Sequence, residues 1–330
     1  MRNAKLLVQA LRDPASVGEC DWAGLVSAAR AEQLIGSLAG RMDGRKAPPR
    51  VAAIFEAARR DSAHARTQAL WEAEMCRRAL APLGVPVILL KGTAFHAAGL
   101  DASRGRSVGD LDILVPSESL AAVEAALIAA GWERLKPAGG YDDGYYRRWM
   151  HELPPLIHKD RDRMIDVHHT ILPLTARPRP DAGALIADSV ALEGGLRTLS
   201  PADMIVHAAA HLFADGDLAG GLRNLWDIDR LLREFDSADF RRTLEERARL
   251  HQLAGPVARS LRLANRLYGT PVAAARPRLS DRLFEARLLA RNGWGQEKRK
   301  ALRFAFYLRG NALRMPPLML ARHLWIKATR

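Results

Sequence analysis

The spacing of apolar residues changes twice along the chain. Up to Gly84 they recur at helical intervals, as Trp22, Leu25 and Ala29 do, which predicts amphipathic helices. Asp21 stands where it can cap the first turn of that helix. A second long helix is predicted from about residue 51 to residue 83. The N-terminal quarter of the chain is therefore expected to be helical.

Short apolar runs typical of strands replace this pattern after Gly84. Residues 85–90 and 110–115 read as two buried strands. Ser117 is expected to cap a helix that runs to residue 130 and stops at Gly131. Residues 156–159 and 164–168 flank a polar turn and predict a hairpin.

From about residue 200 the helical pattern returns. Pro201 fits the first turn of a helix, and a stretch rich in Pro and Arg at 177–180 marks a boundary before it. We therefore expect four regions: a helical N-terminal region (1–84), a strand-containing core (85–175), a helical domain (176–270) and a basic amphipathic segment (271–330).

Positive charge is concentrated near the C-terminus of the chain. The chain has 330 residues, is 48% hydrophobic and carries a net charge of +13. Its last 60 residues hold 14 Lys and Arg against 3 Asp and Glu, and Pro316-Pro317 divides them into two amphipathic pieces. Three roles are open for them: packing on the core, resting on an anionic membrane, or contacting RNA or another acidic partner.

Cysteine content and hydropathy narrow the protein class. Cys20 and Cys76 belong to no Cys or His cluster, which argues against a disulfide framework or a structural zinc site. No apolar run approaches the ~20 residues of a membrane-spanning helix, and the N-terminal apolar runs are too short for a signal peptide core. We therefore expect a cytoplasmic protein.

Candidate chemistry centres on two aspartates in the second predicted strand. Asp110 and Asp112 are two positions apart, so alternation places both carboxylates on one face. Two carboxylates that close repel each other unless a cation lies between them, and hard oxygen ligands suit Mg²⁺. Such a pair can also be an ordinary solvated one, so further signals are needed.

Three further signals accompany the pair. Gly92 and Thr93 follow a strand, where backbone N–H groups and a hydroxyl can hold phosphate. Arg104 and Arg106 precede the pair, and guanidinium groups bind phosphate oxygens. Asp166 lies on a later strand and can supply a third carboxylate for a two-metal site.

This ordered set resembles the nucleotidyltransferase superfamily of the DNA polymerase β type, and more closely the bacterial family of uncharacterised nucleotidyltransferases. The similarity covers roughly residues 20–235. It rests on four segments of this chain, which are Asp21-Trp22, Leu90-Lys91-Gly92, Arg106 to Val115, and Asp166-Val167-His168. Two positions depart from the pattern: Thr93 replaces Ser or Gly, and His169 stands where the family often has Trp.

The resemblance implies an α+β fold, a nucleotidyltransferase-type mixed sheet with flanking helices and helical N- and C-terminal regions. It implies two Mg²⁺ or Mn²⁺ ions on Asp110, Asp112 and Asp166, with Asp166 helping to deprotonate an acceptor hydroxyl. That hydroxyl would attack the α-phosphorus of a nucleoside triphosphate, and pyrophosphate would leave. The expected nucleotide-binding residues are Lys91, Gly92, Thr93, Arg104, Arg106 and His168.

Alternatives remain open at this stage. The acceptor can be a small molecule, a sugar, a peptide or an RNA end, and a toxin-like enzyme acting on RNA or a non-catalytic nucleotide-binding protein fits the same motifs; no DNA partner is expected. His207 and His211 read as helix-face residues and Arg223 and Asp227 as an ordinary helix pair. The reserve candidates for a third carboxylate are Asp142, Asp143 and Glu152.

Overall fold

The computed structural model describes residues 2–135, 141–272 and 276–328. Its first part is helical, as predicted. Asp21 caps the second helix, because its carboxylate accepts a hydrogen bond of 2.9 Å from the Gly24 N–H. The four N-terminal helices are α1 (Arg2–Arg12), α2 (Trp22–Ala31), α3 (Ile35–Arg41) and the 32-residue α4 (Pro49–Leu80).

A mixed seven-stranded sheet follows, with strand order β3-β4-β5-β2-β1-β7-β6 in the described residues. The pairs β2–β5 and β1–β7 are parallel and the others antiparallel. The strands are β1 (Ile88–Leu89), β2 (Asp110–Leu114), β3 (Trp132–Arg134), β4 (Leu156–His158), β5 (Met164–His168), β6 (Val190–Ala191) and β7 (Arg197–Thr198). The predicted strand at 110–115 and the predicted hairpin are confirmed, the latter as β4 and β5.

The first predicted strand is shorter than expected. Residues 85–87 lie outside β1, because Pro86 has no N–H to offer a neighbouring strand. The sheet also extends beyond the predicted strand-containing core, since β6 and β7 both come from residues 190–198. Each has only two residues, too few for an alternating pattern to reveal.

Four helices connect or flank these strands: α5 (Lys91–Ala97), α6 (Leu120–Ala129), α7 (Tyr141–Trp149) and α8 (Ala182–Ala187). Gly131 follows α6 with a φ of +101°, in line with the predicted stop. The predicted cap at Ser117 is wrong. Its hydroxyl contacts the Glu118 carboxylate at 3.2 Å, and Ser117–Ser119 form a 3₁₀ turn before α6 begins.

The rest of the described chain is helical. Ser200 caps α9, accepting a hydrogen bond from the Asp203 N–H, and α9 continues into a π-helical turn at His211–Asp215. Met315 and Pro316 separate the last two helices, as the Pro-Pro pair predicted. The seven helices are α9 (Pro201–Ala210), α10 (Gly221–Glu234), α11 (Ala238–Leu250), α12 (Ala254–Tyr268), α13 (Asp281–Leu288), α14 (Lys300–Arg314) and α15 (Pro317–Ala328).

One cluster of buried apolar side chains extends from Ala4 to Phe306. Helix α4 packs on α5, α6 and β2, and α1 packs on α12, so the N-terminal helices contact both the sheet and the helices that follow it. The fold is α+β, as expected, and its division into four regions stays a prediction. Within the described residues, no helix is both long enough and apolar enough to cross a bilayer.

Helix α14 of the basic segment packs on this core. The Phe306 ring meets the Phe284 ring edge-on at a centroid distance of 5.0 Å, and Arg309 donates a 2.8 Å hydrogen bond to the Phe213 carbonyl. Phe304, two positions earlier, is 60% exposed. The apolar side chains of α14 thus divide between a packed face and an open one.

We expect Phe306→Ala to lower the free energy of unfolding by about 3 kcal/mol, because it removes a buried ring and leaves a cavity. Phe304→Ala is the matched control and should change it by less than about 0.5 kcal/mol. Urea denaturation of the two variants checks this. Equal, small losses in both would mean that α14 does not pack on the core in solution.

Candidate active site

Three aspartates meet on the two central parallel strands. Asp112 of β2 pairs directly with Asp166 of β5, and Asp110 lies on the same face of β2, two residues before Asp112. Leu111 and Ile113 point to the other face and are buried. One carboxylate oxygen from each aspartate lies within 4.8 Å of the others. The predicted trio is therefore assembled by strand register.

Lys91 is the nearest described positive charge. Its ammonium donates a 2.6 Å hydrogen bond to Oδ1 of Asp112. Burial alone would raise the pKa of Asp112, but the Lys91 charge and a hydrogen bond from His168 outweigh it and hold this pKa well below its usual range. Lys91 opens α5 with a φ of +49°, a left-handed conformation that is uncommon for lysine. The backbone is thus bent at the residue that reaches Asp112.

The other two aspartates are short of positive partners. Burial, and then the charges of Asp112 and Glu152, raise the pKa of Asp166 to about 7. Its Oδ1 atom is buried without a hydrogen-bond partner, a costly state for a carboxylate oxygen. Burial and the Asp112 charge also raise the pKa of Asp110. An oxygen-rich site with this excess of negative charge fits a divalent cation such as Mg²⁺ or Mn²⁺.

His168 connects the trio to a second group of side chains. Its Nε2 lies 3.0 Å from Oδ1 of Asp112, and its Nδ1 lies 3.4 Å from Oε2 of Glu152. His151 approaches the same Glu152 oxygen at 3.7 Å. Sequence reasoning kept Glu152 only as a reserve carboxylate and missed His151, because neither lies in a strand pattern. The side chains of Asp142 and Asp143 lie outside the described part of the chain.

Arg106 lies at the edge of the site in a buried network. Its guanidinium forms an ion pair with Asp227 of α10 and lies 5.7 Å from the centre of the Phe95 ring. Asp227 also accepts a 3.0 Å hydrogen bond from Arg223. A side chain at Gly92 would place a Cβ 2.5 Å from Arg106 Nε, so glycine is what lets the guanidinium lie against α5.

Of the other residues predicted to bind phosphate, Gly92 and Thr93 lie near the aspartates and Arg104 does not. Gly92 and Thr93 are buried in the first turn of α5 rather than in an open turn, and Thr93 lines a small pocket with Gly109 and Asp110. Arg104 is not brought to the cluster. Its side chain is 83% exposed and pairs with Asp101 at 2.8 Å.

Comparison with known protein families places this chain in one of them. The sequence matches the model of a family described as uncharacterised nucleotidyltransferase over residues 18–269. The chain belongs to this family. A search of curated proteins gave no match. The matched range takes in the whole sheet and all three aspartates, whereas α13, α14 and α15 lie beyond it.

A cleft beside Lys91 is lined by residues that the sequence pattern did not assign to the candidate site. It lies between α5, α9 and α10, and its walls include Leu90, Met204, His207 and Asn224. Burial holds the pKa of His207 well below its usual range. His211, where the π-helical turn begins, also lines the cleft. The i,i+4 spacing of the two histidines was the only available signal, and it indicated no more than a shared helix face.

Asp227 is expected to be essential for stability. Asp227→Asn leaves the buried guanidinium of Arg223 and the partly buried guanidinium of Arg106 without their shared carboxylate, and breaking a buried pair costs about 3–5 kcal/mol. Asp239→Asn, which removes an exposed partner of Arg242, is the matched control and should change little. Thermal unfolding of the two variants makes the comparison. Equal melting temperatures would contradict the buried network.

Proposed function

We propose that this chain is a divalent-metal-dependent enzyme that transfers a nucleoside monophosphate from a nucleoside triphosphate to an acceptor hydroxyl. The observation that carries the proposal is the register of β2 and β5, which brings Asp110, Asp112 and Asp166 together. Membership of a nucleotidyltransferase family supports it. The acceptor is proposed to be a small molecule, a sugar or a peptide.

In this proposal Asp110, Asp112 and Asp166 hold Mg²⁺ or Mn²⁺. When bound, the metal supplies positive charge that offsets the charge developing on phosphate oxygens. Asp166 accepts the proton of the acceptor hydroxyl, a role suited to a carboxylate whose pKa is raised to about 7. His168 donates its Nε2–H to Asp112 and so fixes the orientation of that carboxylate.

Nucleotide binding is assigned to the start of α5 and its surroundings. Lys91 is partly exposed next to the aspartates and can bind a phosphate oxygen as well as Asp112. Gly92 and Thr93 stay in the proposed set because they form the first turn of α5, and Thr93 lines a pocket with Asp110. Arg106 is proposed to act mainly by holding the loop before β2 against α10 through Asp227.

An RNA acceptor is the second candidate, and the excess of Lys and Arg in residues 271–330 favours it. Backbone contacts to RNA release counterions, so binding should weaken steeply as salt rises. Filter binding of an unstructured RNA at increasing NaCl concentrations distinguishes the two. A steep salt dependence favours RNA, and no binding at low salt removes this candidate.

The proposed activity is tested by incubating the protein with each α-labelled nucleoside triphosphate, Mg²⁺ or Mn²⁺, and a cell extract. We expect one labelled product whose mass exceeds that of its precursor by one nucleotidyl group. Asp110→Asn serves as the control for contaminating enzymes. Absence of any product with all four nucleotides, or the same product with the variant, would contradict the proposal.

A further inference from the structure

A second set of candidate metal ligands lies beside the three aspartates, on the far side of the His168 ring. It consists of His151, Glu152 and His168, and one ligand atom from each lies within 4.8 Å of the others. A β-bridge joins Glu152 to His168, and the His151 carbonyl accepts a 2.9 Å hydrogen bond from the His169 N–H. The backbone therefore holds the three side chains against the end of β5.

The contact with Asp112 determines how His168 presents its second nitrogen. Because a carboxylate only accepts hydrogen bonds, the Nε2 atom 3.0 Å from Asp112 must carry a hydrogen. In the neutral ring Nδ1 then has a lone pair, and this lone pair faces Glu152 at 3.4 Å. The His168 side chain is 2% exposed, and its Nδ1 has no hydrogen-bond partner. This buried ring nitrogen, aimed at a carboxylate oxygen yet without a hydrogen-bond partner, is the observation that points to a ligand.

The distances between these atoms match the spacing of ligands around one ion. A charge-assisted N–H···O contact has a length of about 2.7–2.9 Å, whereas Glu152 Oε2 lies 3.4 Å from His168 and 3.7 Å from His151. Ligands bound at about 2.0–2.1 Å around a tetrahedral ion are separated by about 3.4 Å.

We infer that His151, Glu152 and His168 form a binding site for a transition-metal ion of the Zn²⁺ type, separate from the aspartate site. Two imidazoles and one carboxylate suit Zn²⁺ better than Mg²⁺. Three protein ligands leave one position for water or a substrate atom. Asp112 orients His168 from its opposite nitrogen, as carboxylates commonly orient metal-binding histidines.

This site does not rest on the proposed nucleotidyl transfer, because it uses none of the three aspartates as a ligand. It is nevertheless joined to them through His168. A cation on Nδ1 makes the Nε2–H a stronger donor and so strengthens its hydrogen bond to Asp112. Occupancy of the histidine site thereby stabilises the ionised, correctly oriented form of one aspartate.

The test uses Co²⁺, whose visible absorption reports its coordination, in a full-length variant carrying Asp110→Asn and Asp166→Asn. These substitutions remove two of the three aspartate ligands and leave the histidine set intact. We expect one equivalent of Co²⁺ to bind with the intense visible bands of a four-coordinate site, and Zn²⁺ to displace it. Adding His151→Gln or Glu152→Gln should weaken binding by about 100-fold or more.

The matched control is His169→Gln in the same background, since His169 contacts the Met150 carbonyl and lies outside the set. It should bind Co²⁺ like its parent. Circular dichroism separates loss of the ligand from loss of the fold, and the two ligand variants are independent of each other. The inference is overturned if the parent binds no stoichiometric Co²⁺, or if both folded ligand variants bind it as tightly as the parent. It is also overturned if ¹⁵N NMR finds both His168 nitrogens protonated with equimolar Zn²⁺ present.

Discussion

Asp110→Asn should reduce nucleotidyl transfer by about 1,000-fold while leaving the fold intact. Loss of one cation ligand is expected to cost several kcal/mol of transition-state stabilisation, and about 4 kcal/mol corresponds to three powers of ten. Asp110 is the suitable member of the trio for this test because it is the most exposed of the three and is the first residue of β2. Steady-state rates with a labelled nucleotide measure the effect.

The same variant gives an internal control on folding. Because Asp110 and Asp112 repel each other, and this repulsion contributes to the raised pKa of Asp110 after burial, the metal-free variant should be no less stable than the parent. Asp112→Asn is a poorer choice, since it would leave the half-buried Lys91 without its partner. A fully active Asp110→Asn enzyme would remove the aspartate trio from the mechanism.

Asp166→Asn should lower turnover by about 100-fold or more while changing nucleotide affinity much less. A general base contributes about 10²–10⁴ to the rate, and the amide cannot accept the acceptor's proton. The parent should lose activity as the pH falls and Asp166 becomes protonated, whereas the residual activity of the variant should lack this acidic limb. Turnover rates of both proteins from pH 5 to pH 9 test this. An acidic limb that is unchanged in Asp166→Asn would mean that another residue is the base.

The variant should also alter how stability depends on pH in the presence of a chelator. The pKa of Asp166 is raised from 3.8 to about 7 in the folded protein, so the folded state holds a proton that the unfolded state has released. This contribution is complete below pH 3.8 and is lost as the pH rises through 7. Between pH 5 and 8 the free energy of unfolding of the parent should therefore fall by about 2.6 kcal/mol more than that of Asp166→Asn. Parallel urea titrations of both proteins measure the difference.

Much of the aspartate site could be predicted because it depends on short-range order. The Asp-Leu-Asp segment defines a strand face by alternation, and Ile165-Asp166-Val167 repeats the pattern. The resemblance to a known family added the expectation that these two strands belong to one site. The register that sets Asp112 opposite Asp166 is a property of the folded sheet. It cannot be predicted from the periodicity of the sequence.

The contacts that complete the site were harder to predict because they join distant residues. Arg106 and Asp227 are 121 positions apart, and a guanidinium expected to bind phosphate is already held by a carboxylate. Lys91 reaches Asp112 only because β1 pairs with β2. Arg104 and Arg106 looked equivalent in sequence, yet the Arg104 side chain is 83% exposed and the Arg106 side chain only 14%.

Metal-dependent nucleotide binding tests the central claim most directly, because it requires no knowledge of the acceptor. Mn²⁺ and non-hydrolysable α,β-methylene analogues of ATP, GTP, CTP and UTP are titrated into the parent and into the Asp110→Asn, Asp166→Asn double variant, and heats of binding are recorded. We predict that the parent binds at least one analogue only with Mn²⁺, and that the folded double variant loses this metal-dependent binding. Equal binding of the analogues by both proteins, or binding by the parent that is the same with and without Mn²⁺, would contradict the account.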